Sequence, residues 1–233
     1  MADIILAGST SGSITVSAPA VSGTNTLTLP VATDTLVGLA TTDTLTNKTL
    51  TSPVLTTPNL GTPSTLVLTN ATGLAAASLP AGSVLQVVQG TLLLPVVTTA
   101  NNVDIGLSAT ITPSSSANKI LILVTISVGG NGSSYDAGLA LMRGSTDIGV
   151  PSDYGSRIPT FMPYNQRNQS PNETASVSGN FLDSPSSTAA VTYKIQARSS
   201  NSMSQFINRS SADENNSNDH RNISTITLME IKG

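Results

Sequence analysis

Proline returns at every fifth position between residues 53 and 63, and this constrains the chain more than any other feature. Pro53, Pro58 and Pro63 open the similar units SPVLT, TPNLG and TPSTL inside the stretch 41–66. Proline at this spacing removes backbone donors and forbids a helix. Leu45, Leu50, Leu55 and Leu60 keep the same five-residue step, which fits neither the strand period nor the helix period. The stretch has one basic and one acidic residue, Lys48 and Asp43, and no aromatic ring. Without large side chains it cannot build a core alone. Two arrangements remain. One is a disordered linker. The other is an extended chain of loops and short strands whose four leucines meet those of neighbouring copies on an axis, since repeat units usually cannot bury their own apolar face.

A nine-residue echo runs into this stretch, TDTLVGLAT from Thr33 and TDTLTNKTL from Thr42. Before it, residues 1–40 read as short strands at Ile4–Ala7, Ser13–Ser17 and Thr26–Leu29, separated by turn-rich GSTSGS and PAVSG. The opening IILA suits either docking to a larger assembly or pairing within an oligomer. After it, LAAAS predicts one helical turn. Composition then changes near Gly82. All seven aromatic residues lie beyond that point, as do nine of the ten basic ones. The expected organisation is an attachment region at 1–40, a repeat shaft at 41–81 and a folded domain at 82–233, long enough to bury its own core.

The last part reads as all-β. Strand character is expected at Val84–Val88, Val103–Ile111, Ala137–Met142, Ile148–Val150, Ala175–Leu182, Phe206–Ile207 and Ile223–Ile231. Residues 119–128, KILILVTISV, put Ile120, Ile122, Val124, Ile126 and Val128 on one face, with Leu121 and Leu123 apolar on the other. A strand apolar on both faces near its start leaves room for a contact beyond its own sheet. In Val191–Ala197 the residues Val191, Tyr193, Ile195 and Ala197 point in, while Thr192, Lys194, Gln196 and Arg198 point out. Eight or so such strands without a helical pattern predict a β-sandwich, jelly-roll-like.

Several runs carry a resemblance. GTNTLTLP at 23–30, TDTLVG, TDTLTNKTLTSP and TPNLGTPS resemble the shaft segments of tailed-bacteriophage tail fibres. GSVLQVVQ from Gly82 and the closing STITLMEIKG are similar in pattern to the tips of such fibres. The resemblance is dense over the first third and sparse afterwards. It implies a non-enzymatic, intertwined homotrimer in the virion. The N-terminal region would join other tail or baseplate proteins, and the tip would bind a host surface glycan or protein. Rival readings are a head or baseplate decoration, a surface-glycan depolymerase, and a secreted bacterial adhesin.

Charge and motifs bound the function from another side. Only 10% of residues are charged, against about 25% in an average soluble domain. A net charge of −3 with scattered Lys and Arg offers no basic patch for nucleic acid. The chain has no cysteine, hence no disulfide framework, thiol nucleophile or thiolate metal site. MADIILAGS lacks the basic start and the apolar length of a secretory signal. No segment approaches the roughly 20 apolar residues that span a bilayer, so no membrane insertion is expected. His220, the one histidine, sits beside Asp219 in NNSNDHRN and reads as a solvated loop residue. There is no G-x-S-x-G elbow. One histidine with Asp213 and Glu214 does not supply metal-ligand spacing. No catalytic residue, metal or cofactor is assigned.

Two long loops stand out. Pro151–Asn172 gathers Asp153, Tyr154, Arg157, Tyr164, Asn165 and Arg167 among four prolines. Tyrosine beside arginine and small polar residues is the chemistry of recognition surfaces, with rings stacking on sugars and guanidinium forking to hydroxyls or carboxylates. These six are the expected receptor-binding residues. The plain alternative is that Phe161 and Met162 of this loop merely pack down on the sandwich. Ser199–Asn222, more polar, is the second candidate loop.

Overall fold

The computed structural model describes residues 4–7, 10–16, 24, 42, 44–45, 49–62, 65, 75–130, 136–152, 155–165, 170–199 and 203–233. The chain divides into two compact units, Met1–Val67 and Leu68–Gly233. The division lies N-terminal to the expected boundary near Gly82. The segment before Gly82 is knitted to the chain's end: the Gly82 amide donates to the Lys232 carbonyl, the Lys232 amide to Ser83, and Lys232 Nζ to the carbonyls of Ala77 and Leu79.

In the first unit, β1 (Ile4–Ala7) pairs antiparallel with β2 (Ser13–Val16), Ile4 opposite Val16. The expected strand at 26–29 lies outside the described residues. Residues 49–62 form neither helix nor strand. They bend at a regular interval instead: Ser52 and Thr57, each preceding a proline, have φ of 49° and 48°. Leu45, Leu50, Leu55 and Leu60 are alike, 48–58% exposed.

The first described element of the second unit is a 3₁₀ turn at Ala76–Ser78, where LAAAS predicts a helical turn. Its strands are β3 (Val84–Leu92), β4 (Val96–Thr98), β5 (Val103–Ile111), β6 (Lys119–Gly129), β7 (Asp136–Arg143), β8 (Thr146–Ile148), β9 (Met162–Asn165), β10 (Thr174–Asp183), β11 (Val191–Ser199), β12 (Gln205–Ile207) and β13 (Ser224–Ile231). The chain is all-β. One sheet runs β3-β13-β6-β12-β4, with β10 on the free side of β6; the other runs β5-β11-β7-β8, with β9 also on β7. All these pairs are antiparallel.

One core draws on both sheets. Ile120, Ile122, Val124, Ile126, Ile226 and Leu228 come from the first, and Ile105, Leu107, Leu139, Leu141, Tyr193 and Ile195 from the second. Period-two alternation selects them, as in β5, where Ile105, Leu107, Ala109 and Ile111 are buried between exposed neighbours. A polar clamp joins the layers. Asp183, ending β10, accepts the Tyr193 hydroxyl at 2.7 Å and an Arg143 guanidinium at 2.9 Å, both from the second sheet. Burial, reinforced by that carboxylate, pushes the Tyr193 phenol pKa far up, so it stays a donor. Close backbone approaches need glycine: a Cβ on Gly90 of β3 would lie 1.9 Å from the Ser108 carbonyl oxygen of β5. Among the described residues no helix is long and apolar enough to cross a membrane.

Candidate functional site

The loop expected to bind is shorter than its sequence suggests, because it contains β9. Met162 and Tyr164 turn inward, while Pro163 and Asn165 turn outward. A proline is tolerated here because, among the described residues, β9 is an edge strand paired only with β7. Tyr164 is therefore a core residue, 7% exposed, with its hydroxyl donating to buried Gln205 Oε1 at 2.8 Å. This corrects its expected place on an exposed loop. The Tyr164–Gln205 bond ties β9 to β12. Phe161 packs down as well, against the bare backbone of Gly149 and Gly179. Asn165 is exposed at the end of β9. Asp153, Tyr154 and Arg167 lie outside the described residues.

Arg157 is exposed, and it lines a polar cleft with Asn101, Asn102, Asp147, Ile158, Pro159 and Arg198. The cleft volume is about 330 Å³. Four elements supply it: the β4–β5 turn, β8, the β8–β9 loop and β11. Asn102 takes a left-handed conformation, φ 57°, which asparagine tolerates better than most residues. Its amide donates to the Ala197 carbonyl, and Asn101 Oδ1 accepts from the Ser199 amide at 3.2 Å. The turn is thus tied to β11 at two points.

Arg198 departs from the expected outward orientation. It is 6% exposed, because the β8–β9 loop crosses over it. Its guanidinium forks onto both oxygens of Asp147, at 2.6 and 2.7 Å, and donates to the Pro159 carbonyl at 2.8 Å. Paired this way, a buried arginine avoids most of the penalty for leaving water, although Nε remains buried without a partner. The pair fixes the cleft floor and holds the loop that carries Arg157. The rim carries exposed Arg157, two side-chain amides, a partly exposed carboxylate and the apolar flank of Ile158. That set can exchange hydrogen bonds with hydroxyl groups while one face packs on a sugar ring. Strand alternation hides Arg198 from a reading of the sequence; the Asn101-Asn102 pair ahead of β5 is a turn signal visible in it.

The second candidate loop is stapled to itself. Asp213 lies between Arg209 and Arg221, and the backbones of those two arginines bridge. Asn208 is buried and donates to the Leu92 carbonyl at 2.7 Å. The loop leaves an open hollow of about 380 Å³ rimmed by Asp213, Glu214, Asn215, Asn216, Asp219 and Arg221. His220 is exposed, and the Asp219 carboxylate beside it accepts from Ser210, Asn172 and the Glu214 amide. Among the described residues no group of three or more His, Cys, Asp or Glu side chains could hold a metal ion. Neither a protein-family model nor a curated protein matches this chain.

Proposed function

We propose that this chain is the subunit of a homotrimeric bacteriophage tail fibre. Its second unit would be a jelly-roll-like sandwich tip that adsorbs to a host surface glycan through the cleft around Arg157. The observation that carries the proposal is that cleft: an exposed arginine, two asparagines and an apolar flank, held on a rigid two-sheet scaffold by the buried Arg198–Asp147 pair. The strand orders β3-β13-β6-β10 and β5-β11-β7-β9 around one core support the jelly-roll reading. The leucine-proline repeat supports the shaft. The reading is of a protein that binds without cleaving; its N-terminal region would join the virion. Each cleft would bind weakly, and three on one trimer would gain avidity on a repetitive surface.

The test is an array of bacterial capsule and lipopolysaccharide oligosaccharides probed with the whole chain. Arg157→Ala should lower binding about tenfold or more, the worth of one or two charge-assisted hydrogen bonds, measured well below the melting temperature of the variant. Undiminished binding by Arg157→Ala and Asn102→Gly would remove the cleft from the reading. Release of reducing sugar would replace adsorption by cleavage.

A further inference from the structure

The outward face of the first sheet is not uniformly polar. The strand register lines up Leu182, Leu121, Met229 and Val87 in one row across β10, β6, β13 and β3. The next row toward the start of β3 holds Ile231 and Val84, and Leu123 lies in the row on the other side. Leu182, Val84 and Val87 are each about half exposed. These seven apolar side chains form one continuous patch. At its margin the one charged residue in these rows is Lys119, opposite Ile231. The patch runs to the β3–β4 edge, whose outer side pairs with no described strand. That edge also exposes Leu93, Leu94 (73%) and Val97. Soluble proteins normally protect such an edge with lysine, proline or a covering segment. β3 itself has neither charge nor proline; the edge's proline, Pro95, falls in the gap between β3 and β4.

We infer that this patch and edge are buried against further copies of the same chain. Three observations select that occupant. First, no charged residue occurs anywhere from Thr49 to Val103, a run that contains both the leucine-proline repeat and the whole β3–β4 edge. Around a rotation axis identical segments of the copies come together, so a charge there would face its like, whereas an uncharged surface can meet itself. Second, the repeat ending just before this unit carries leucines at a five-residue step that are all half exposed. The surface that offers the same step is another copy of the repeat. Third, the left-handed conformations at Ser52 and Thr57 are unfavourable for a residue with a side chain. Such bends persist where surroundings over-determine them, and packing against an identical, identically bent segment does so.

The inference rests on the oligomeric part of the proposed function and adds the surface the second unit contributes. The chain has no native cysteine, so a single introduced thiol reports its own position. Whole chains carrying Val87→Cys, Leu182→Cys or, on the outward face of the other sheet, Thr110→Cys would be weighed by light scattering and then treated with a bulky maleimide. The expected result is a multiple of the monomer mass, with the thiols at 87 and 182 reacting at least about tenfold more slowly than the thiol at 110, because access sets the rate. Val87→Glu should also reduce the mass or speed subunit exchange while far-UV dichroism stays that of the parent. An assembled chain whose thiol at 87 reacts as fast as the one at 110 overturns the surface and leaves the fibre reading standing. A monomeric parent chain overturns both.

Discussion

Glu230 shows how this molecule keeps a carboxylate inside without a cation. It is buried in β13 and accepts from Asn118 Nδ2 and Gln86 Nε2 at 2.6 Å, and from the Ser114 amide and hydroxyl at 2.6 and 2.8 Å. Burial pushes its pKa up, but these four neutral donors outweigh burial and hold it below the ordinary value of 4.5. A carboxyl with a depressed folded pKa contributes stability that is fully present above the unfolded value. That stability is lost as pH falls through the lower folded value. The melting temperature should therefore drop on acidification below about pH 4.5, and Glu230→Gln should flatten that drop. At neutral pH the same substitution turns an amide donor toward existing donors, and should cost about 1–3 kcal/mol in denaturant unfolding. An unchanged neutral stability would mean the four donors find water instead.

At the scale of elements, β9 decides how the candidate loop must be tested. Tyr164 is bonded to Gln205, and Gln205 Nε2 is already a buried donor without a partner. Tyr164→Phe leaves the Oε1 acceptor unmet too and should cost about 1–2 kcal/mol. Tyr164→Ala opens a cavity and should cost about 3–5 kcal/mol. Both losses belong to folding, so glycan binding by Tyr164→Phe should equal that of the parent well below its melting temperature. A binding loss in Tyr164→Phe with unchanged unfolding would make the hydroxyl a ligand contact after all. Arg157 belongs to the opposite class, since it is exposed and its removal opens no cavity. The same contrast separates Arg198 from Arg157 although both line one cleft. Removing the first strands Asp147 without its fork and loosens the loop, whereas the second is an exposed residue on the rim.

At the scale of the whole molecule, the two units draw stability from different sources. The second has a core of its own, built from both sheets. The described repeat leaves its leucines half exposed, so on the proposed reading its stability arises only in the assembly. Separating such an assembly requires breaking contacts along the length of several chains at once, which makes unfolding slow rather than merely unfavourable. The unheated protein should therefore migrate as an oligomer in dodecyl sulfate gels and collapse to the monomer band only after boiling. Monomer migration without heating would place the stability in the second unit alone.

Backbone chemistry and alternation were local, and they were legible in the sequence: proline excludes a helix in the repeat, and β5, β6, β11 and β13 stand close to where period-two patterns place them. So was the second apolar face of β6, since Leu121 and Leu123 are visible in the string itself. What the string could not carry was which outward positions another segment would later cover. Arg198 reads as exposed because its strand alternates, yet the β8–β9 loop lies over it. Tyr164 reads as a loop aromatic because β9 is four residues long and interrupted by proline, yet its pairing with β7 turns the ring inward. The cleft likewise joins Asn101, Asp147, Arg157 and Arg198, which are distant in sequence and brought together by sheet register. Burial of a polar or aromatic side chain depends on partners far along the chain, and only the tertiary structure assembles them.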